Sequence, residues 1–252
     1  MNYFFDELWN YDTHVNDFEL FGIIHISILL FVAAIILFIY LKRDKIKKLP
    51  LRSIEIILGL IMITPRVLLY FWYGTYESSL QEILPLYLCR ITIMCTAFTL
   101  FTGKNNVRFV TYFWGMFGSI LALIFVDTSG YGFPHIMFIS FFVGHGLLAI
   151  SVFYMIFIRE YLPSYDDFKK AKLWTIIYIL VACVVNRLVG GNYNYLERNP
   201  SVLNMPVEFV NSIFYKLMIL GSFLLIQCIL YLPVHLIRKR EADSENNDIC
   251  AL

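Results

Sequence analysis

The stretch FPHIMFISFFVGHGLL, residues 133–148, decides how the chain is read. It is apolar enough to lie in a bilayer, yet it carries His135 near its start and His145 ten residues later. Ionisable side chains inside a membrane segment are costly, and they face a bundle interior or a wet cavity. Along a helix, ten residues rise about 15 Å and turn the second ring about 80° from the first, so both imidazoles can face one interior sector. Gly144 and Gly146 flank His145 and remove bulk there, which lets another helix or a lipid chain come close. The other spans are read as a scaffold around this helix.

Composition supports the membrane reading. Of 252 residues, 59% are hydrophobic and 15% charged, against roughly 45–50% and 25% in a soluble domain. The expected fold is all-α: a polytopic membrane protein with seven transmembrane helices. The spans are expected at about 20–41, 53–73, 83–102, 107–126, 133–158, 173–189 and 207–235. They form one integral domain over 1–237, followed by a polar, disordered tail at 238–252. Orientation follows from charge. Fifteen of the 20 Lys and Arg fall in the segments on one side of such a layout, and only Arg198 falls on the other. Basic residues stay cytoplasmic, so the N-terminus is expected outside and the C-terminus inside. The start, MNYFFDELWNYDTH, has neither a basic n-region nor a cleavage site and does not read as a removable signal. The five cysteines form no CxxC or metal-type spacing, and there is no P-loop or HExxH. No metal, cofactor or nucleic-acid partner is expected.

Given that orientation, the polar residues within spans gather in the outer half of the bilayer. Cys89 and Arg90 lie about two turns below the outer end of the third span, with Arg66 in the outer half of the second. Asn186 and Arg187 end the sixth span, and Glu208 and Lys216 open the seventh. A cavity open to the outer surface or outer leaflet fits this better than a full-depth transport path. Three arginines beside it can hold a phospholipid phosphate, because guanidinium matches phosphate bidentately. A thiol next to an imidazole is the minimal nucleophile–base pair for acyl transfer. That pair here is Cys89 with His145 or His135, on different helices, so spacing alone does not join them.

Each residue also has a plainer reading. An unpaired Cys is most often a small buried hydrophobe, and Cys95, Cys183 and Cys228 read as filler. His145 can be satisfied by an interhelical hydrogen bond, and His135 at a helix start needs no function. Arg90 and Arg187 can snorkel to the interface. Arg66 is deeper and can pair with Glu208 or Glu82. Lys216 either pairs internally or reaches the inner side. The loop GGNYNYLERNP, with Asn192 and Tyr193, is a Gly-rich turn or a lid. His14, His25 and His235 look incidental.

Three blocks then carry a resemblance: LPLYLCR (84–90), FPHxxFxxFFxxHG (133–146) and NRLVGGNYNYLERNP (186–200). In that order they resemble the YwaF-like integral membrane proteins of Gram-positive bacteria. Those proteins carry PLHLC on one helix, a Pro-containing helix ending in HG, and a GxNYxxLxxxP loop. They look like distant relatives of the transmembrane protein 164 family, acyltransferases that remodel ether phospholipids through a cysteine acyl intermediate. The resemblance implies a bacterial plasma-membrane protein with Cys89 as nucleophile and His145 as base. Tyr87 stands where the family motif has His, which removes one possible base. The expected function is therefore that of an acyltransferase or lipid-acyl hydrolase acting on outer-leaflet phospholipid, with a lysolipid or lipoprotein as acceptor in the first case. The substrate-binding residues expected are Arg66, Arg90, Asn186, Arg187, Asn192 and Tyr193. The alternative is a lipid or small-anion binding or transport protein that uses the arginines without chemistry. A third reading is a structural partner of another envelope protein.

Overall fold

The structure is a computed structural model that describes residues 3–13, 17–76, 79–199 and 205–250. His14 and residues 200–204 of the expected loop lie outside these. The described residues are helical, without strands. A short helix α1 (Tyr3–Trp9) precedes α2 (Ile23–Leu41), α3 (Leu51–Tyr76), α4 (Leu88–Thr102), α5 (Arg108–Ile124) and α6 (Ile136–Phe157). They are followed by α7 (Tyr165–Val189) and α8 (Ile213–Cys250). Among the described residues, six helices are long and apolar enough to cross a membrane, the third of them counted from Leu80. The expected fourth span is α5, a shorter apolar helix of about 25 Å at 1.5 Å per residue. The chain divides into two compact units, residues 1–161 and 162–252, each described by itself.

In the first unit α6 is the hub. It packs against α2, α3, α4 and α5. About two thirds of its apolar window is buried, against 17% for α2. The difference shows in the side chains. Ile23, Leu30, Phe31 and Phe38 of α2 face outward, as lipid-facing residues do. The glycines of α6 work as their spacing suggests. A Cβ on Gly144 would sit 3.0 Å from Ile93 Cδ1 and 3.2 Å from Arg66 Nη2, and one on Gly146 would sit 3.2 Å from Val32 Cγ2. Helices α3 and α4 close in on one side of His145, and α2 on the other.

Local chemistry sets the helix ends. Pro85 holds Leu84 in extended backbone (ψ 135°), so the expected third span breaks into a turn at Leu80–Ile83 and then α4. A π-helical turn at Thr111–Gly115 lies inside α5, where Gly115 packs on Leu148 and Val152. The N-terminal segment is fastened to the unit: Trp72 Nε1 donates to the Trp9 carbonyl at 2.9 Å, and the Tyr131 hydroxyl to that of Tyr11 at 3.1 Å.

His25, which looks incidental in the sequence, is fully buried. Its Nδ1 accepts from the Phe21 amide at 3.0 Å, and its Nε2 donates to the Leu123 carbonyl at 2.7 Å. It ties the entry of α2 to the last turns of α5.

In the second unit α7 packs on α8. Phe168 stacks on Tyr231 at 4.5 Å, and Gln227 donates to Thr175 at 2.6 Å. Helix α7 starts at Tyr165, eight residues before the expected sixth span. Ser164 and Asp167 form a reciprocal capping box there, which satisfies two amides of the first turn.

Candidate functional site

In the first unit, α3, α4 and α6 bring Arg66, Cys89, Arg90 and His145 into one neighbourhood. Ile93, one turn below Cys89 on the same face of α4, touches the Gly144 position beside His145. The Arg66 and Arg90 guanidiniums both act electrostatically on Cys89 and on His145. Arg66 also acts on Tyr70 and Tyr73, which follow it at i+4 and i+7 and so share its helix face. That spacing is legible in the sequence.

His145 is buried, 2% exposed. Its Nδ1 lies 2.8 Å from the Phe141 carbonyl. A carbonyl can only accept, so Nδ1 carries the proton. In the neutral ring Nε2 is then the lone-pair nitrogen. It is buried and has no hydrogen-bond partner among the described residues. Cys89 is half-buried.

The two arginines differ. Arg90 donates to the Glu82 carboxylate at 2.7 Å, to the Glu82 carbonyl, and to the Tyr73 hydroxyl at 2.8 Å. It also lies over the Tyr87 ring, 4.6 Å from its centroid. Tyr87 donates in turn to Glu82. Arg90 therefore locks the turn before α4 onto α3, and Glu82 is its partner rather than that of Arg66. Arg66 is 6% exposed. Among the described residues its guanidinium makes no hydrogen bond or ion pair, and its Nε is buried without a partner.

This difference predicts opposite effects of one substitution. Arg90→Met is expected to lower stability by about 2 kcal/mol, because it strips Glu82 of its counter-ion. Arg66→Met is expected to raise stability by about 1–2 kcal/mol, because it removes an uncompensated charge from the membrane interior. Thermal unfolding of both variants in one detergent checks the signs.

His135 is buried at the start of α6, where its Nδ1 accepts from the Met137 amide at 3.2 Å as the N-cap. Its ring stacks on Tyr131 at 4.0 Å and meets Trp72 edge-on at 5.4 Å. Ten residues of helix, about 15 Å, separate it from His145, so the two rings do not serve one reacting atom.

In the second unit, the loop after α7 is fastened by its own asparagines. Gly190 ends the helix in left-handed backbone, φ 65°. The Asn186 side chain accepts from the Tyr193 amide at 2.7 Å and donates to the Tyr193 carbonyl at 3.2 Å. Asn192 Oδ1 accepts from the Glu197 and Arg198 amides. Tyr193 is fully buried. The loop is thus a turn built onto its own helices. Lys216 pairs internally with Glu197 at 2.7 Å. Arg187 and Arg198 line a recess of about 230 Å³ with Asn186, Gly190, Gly191 and Glu197. Neither arginine side chain has an ion-pair partner among the described residues.

Fold and site together define a multi-pass, all-helical membrane protein with an ionisable cluster between three helices of its first unit. Residues 20–232 match the model of the TMEM164 family, and the chain belongs to that family. Comparisons with the curated proteins and with the solved structures return no match.

Proposed function

We propose that the protein is a membrane-embedded acyltransferase that moves an acyl chain from phospholipid through a Cys89 thioester, with His145 as base. The observation that carries this reading is the state of His145. Its Nδ1 is engaged by the Phe141 carbonyl, and its buried Nε2 is unengaged beside the arginines that also act on Cys89. Family membership adds to it, as does the YwaF-like pattern of the three sequence blocks.

In this scheme Nε2 takes the thiol proton as Sγ attacks the ester carbonyl carbon. A C–S bond forms. The tetrahedral intermediate then collapses, the ester C–O bond breaks, and the imidazolium returns the proton to the leaving lysolipid oxygen. A hydroxyl or amine of a second lipid or lipoprotein attacks the thioester by the same steps in reverse. Basic residues on one side put the N-terminus outside and the chemistry on outer-leaflet lipid, in a bacterial plasma membrane. Arg90 and His135 act here as positioning residues: one holds the turn before α4, the other caps α6.

Incubation with phospholipid followed by intact-mass measurement tests the scheme. The protein should gain the mass of one fatty acid less water on Cys89, and Cys89→Ala should gain nothing. A folded Cys89→Ala protein with full acyl-transfer activity would overturn it.

The recess in the second unit favours a second reading, non-catalytic binding or transport of a lipid phosphate or small anion through Arg187 and Arg198. In that case Cys89→Ala is harmless, and Arg187→Ala abolishes binding.

A further inference from the structure

Arg66 carries a buried charge that no side chain balances among the described residues. It is the sixteenth residue of the 26-residue α3, about 4 Å past the helix midpoint at 1.5 Å per residue. The groups that face it electrostatically are Cys89, Arg90, Tyr70 and Tyr73, together with His145. The carboxylate of the neighbouring turn, Glu82, is taken by Arg90, Tyr73 and Tyr87. One helical turn along α3 from Arg66, Met62 lies in an apolar cluster with Ile93, Ala97, Leu100 and Leu148. A guanidinium so placed calls for an anion.

Depth then selects the kind of anion. Phospholipid phosphates sit at the interface, about 15 Å from the middle of a hydrocarbon core roughly 30 Å thick. An anion that reaches Arg66 must be carried by an apolar body. We propose that Arg66, held against α6 at Gly144 with the His145 edge beside it, binds the carboxylate of a long-chain fatty acid. The vacant Cβ position of Gly144, 3.2 Å from Nη2, is what lets the guanidinium lie against α6. The ligand class rests on reading Arg66, Cys89 and His145 as one site, but not on the thiol reacting. Hydrolysis of a Cys89 acyl-thioester would release such a carboxylate at this place.

The test uses the full-length Cys89→Ala protein in a neutral detergent, so that no covalent adduct forms. Oleate, methyl oleate and inorganic phosphate are titrated, with saturable binding read by native mass spectrometry. Oleate should bind at one site. Methyl oleate, the same chain without the charge, should bind about tenfold or more weakly. Arg66→Gln should weaken oleate to the same degree, while Arg66→Lys retains part of the affinity.

Equal binding of oleate and its methyl ester overturns the proposal, as does unchanged oleate affinity in a folded Arg66→Gln protein. Displacement of oleate by millimolar phosphate overturns the ligand class. If Arg66→Gln does not fold, the ester comparison and Arg66→Lys decide. Oleate binding without an acyl adduct on the native protein leaves this proposal standing and removes acyl transfer. The converse result does the opposite.

Discussion

Glu55→Gln is expected to cost the first unit about 3 kcal/mol of stability, a larger loss than any other single polar substitution considered for it. Glu55 lies in the second turn of α3, 4% exposed. Its carboxylate accepts from Arg159 Nε at 2.6 Å, from the Tyr154 hydroxyl at 3.3 Å and from Arg52 Nη1 at 3.5 Å. Arg52 also donates to the Leu100 carbonyl, and Arg108 of α5 feels the same carboxylate. One buried charge therefore ties α3, α4, α5 and the end of α6 together. A neutral amide of the same size keeps the packing and leaves Arg159 and Arg52 without their carboxylate. Each kcal/mol is worth about 2–4 °C in a chain of this length, so the melting midpoint should fall by about 6–12 °C. Removing the charge on both sides, as Glu55→Leu with Arg159→Leu, should recover much of the loss, since a well-packed apolar pair replaces a buried ion pair at little cost. A Glu55→Gln protein that melts with the wild type would mean that the cluster is held by packing alone.

How much of this was legible in the sequence depends on the range of the interaction. Helix α6 was readable as the organising element because its signal is local. Two histidines and two glycines in an apolar run demand close neighbours whatever those neighbours are, and α3, α4 and α2 supply them. The start of α7 is equally local: Ser164 and Asp167 stand at capping-box spacing, amid charges that on their own read as loop. The arginines were not separable. Arg66, Arg90 and Arg187 look alike as lone cations in apolar segments. What distinguishes Arg90 is Glu82, eight residues earlier, folded back by the extended turn at Leu84. His25 shows the same limit over 98 residues, since its partner is the Leu123 carbonyl. Backbone partners leave no mark in a sequence. Asn186 and Asn192 had the composition of a ligand set, yet the groups they hold are amides and carbonyls of their own loop.

If Cys89 is acylated with His145 as base, His145→Gln should slow adduct formation by about 10²–10⁴, the usual worth of a positioned base. Gln is the right replacement because it is polar and close in length but cannot take a proton near neutral pH. The more discriminating result is the pH dependence of what remains. In the native protein the thiol proton passes to Nε2 within the site, so the reaction needs no prior ionisation to solvent. In His145→Gln the thiol must ionise first. The residual rate should then climb about tenfold per pH unit until the thiol is ionised. A structural role for His145 predicts something else: a rate lowered by misfolding is lowered by the same factor at every pH. The two roles also separate at Phe141, whose carbonyl fixes the ring. Because that contact is to backbone, Phe141→Leu keeps the carbonyl and the tautomer while it loosens the ring packed 4.3 Å from the imidazole. Acylation in Phe141→Leu should therefore fall far less than in His145→Gln and keep the native pH profile. A steep profile in both variants would mean that the ring's packing, rather than its basic nitrogen, governs the thiol.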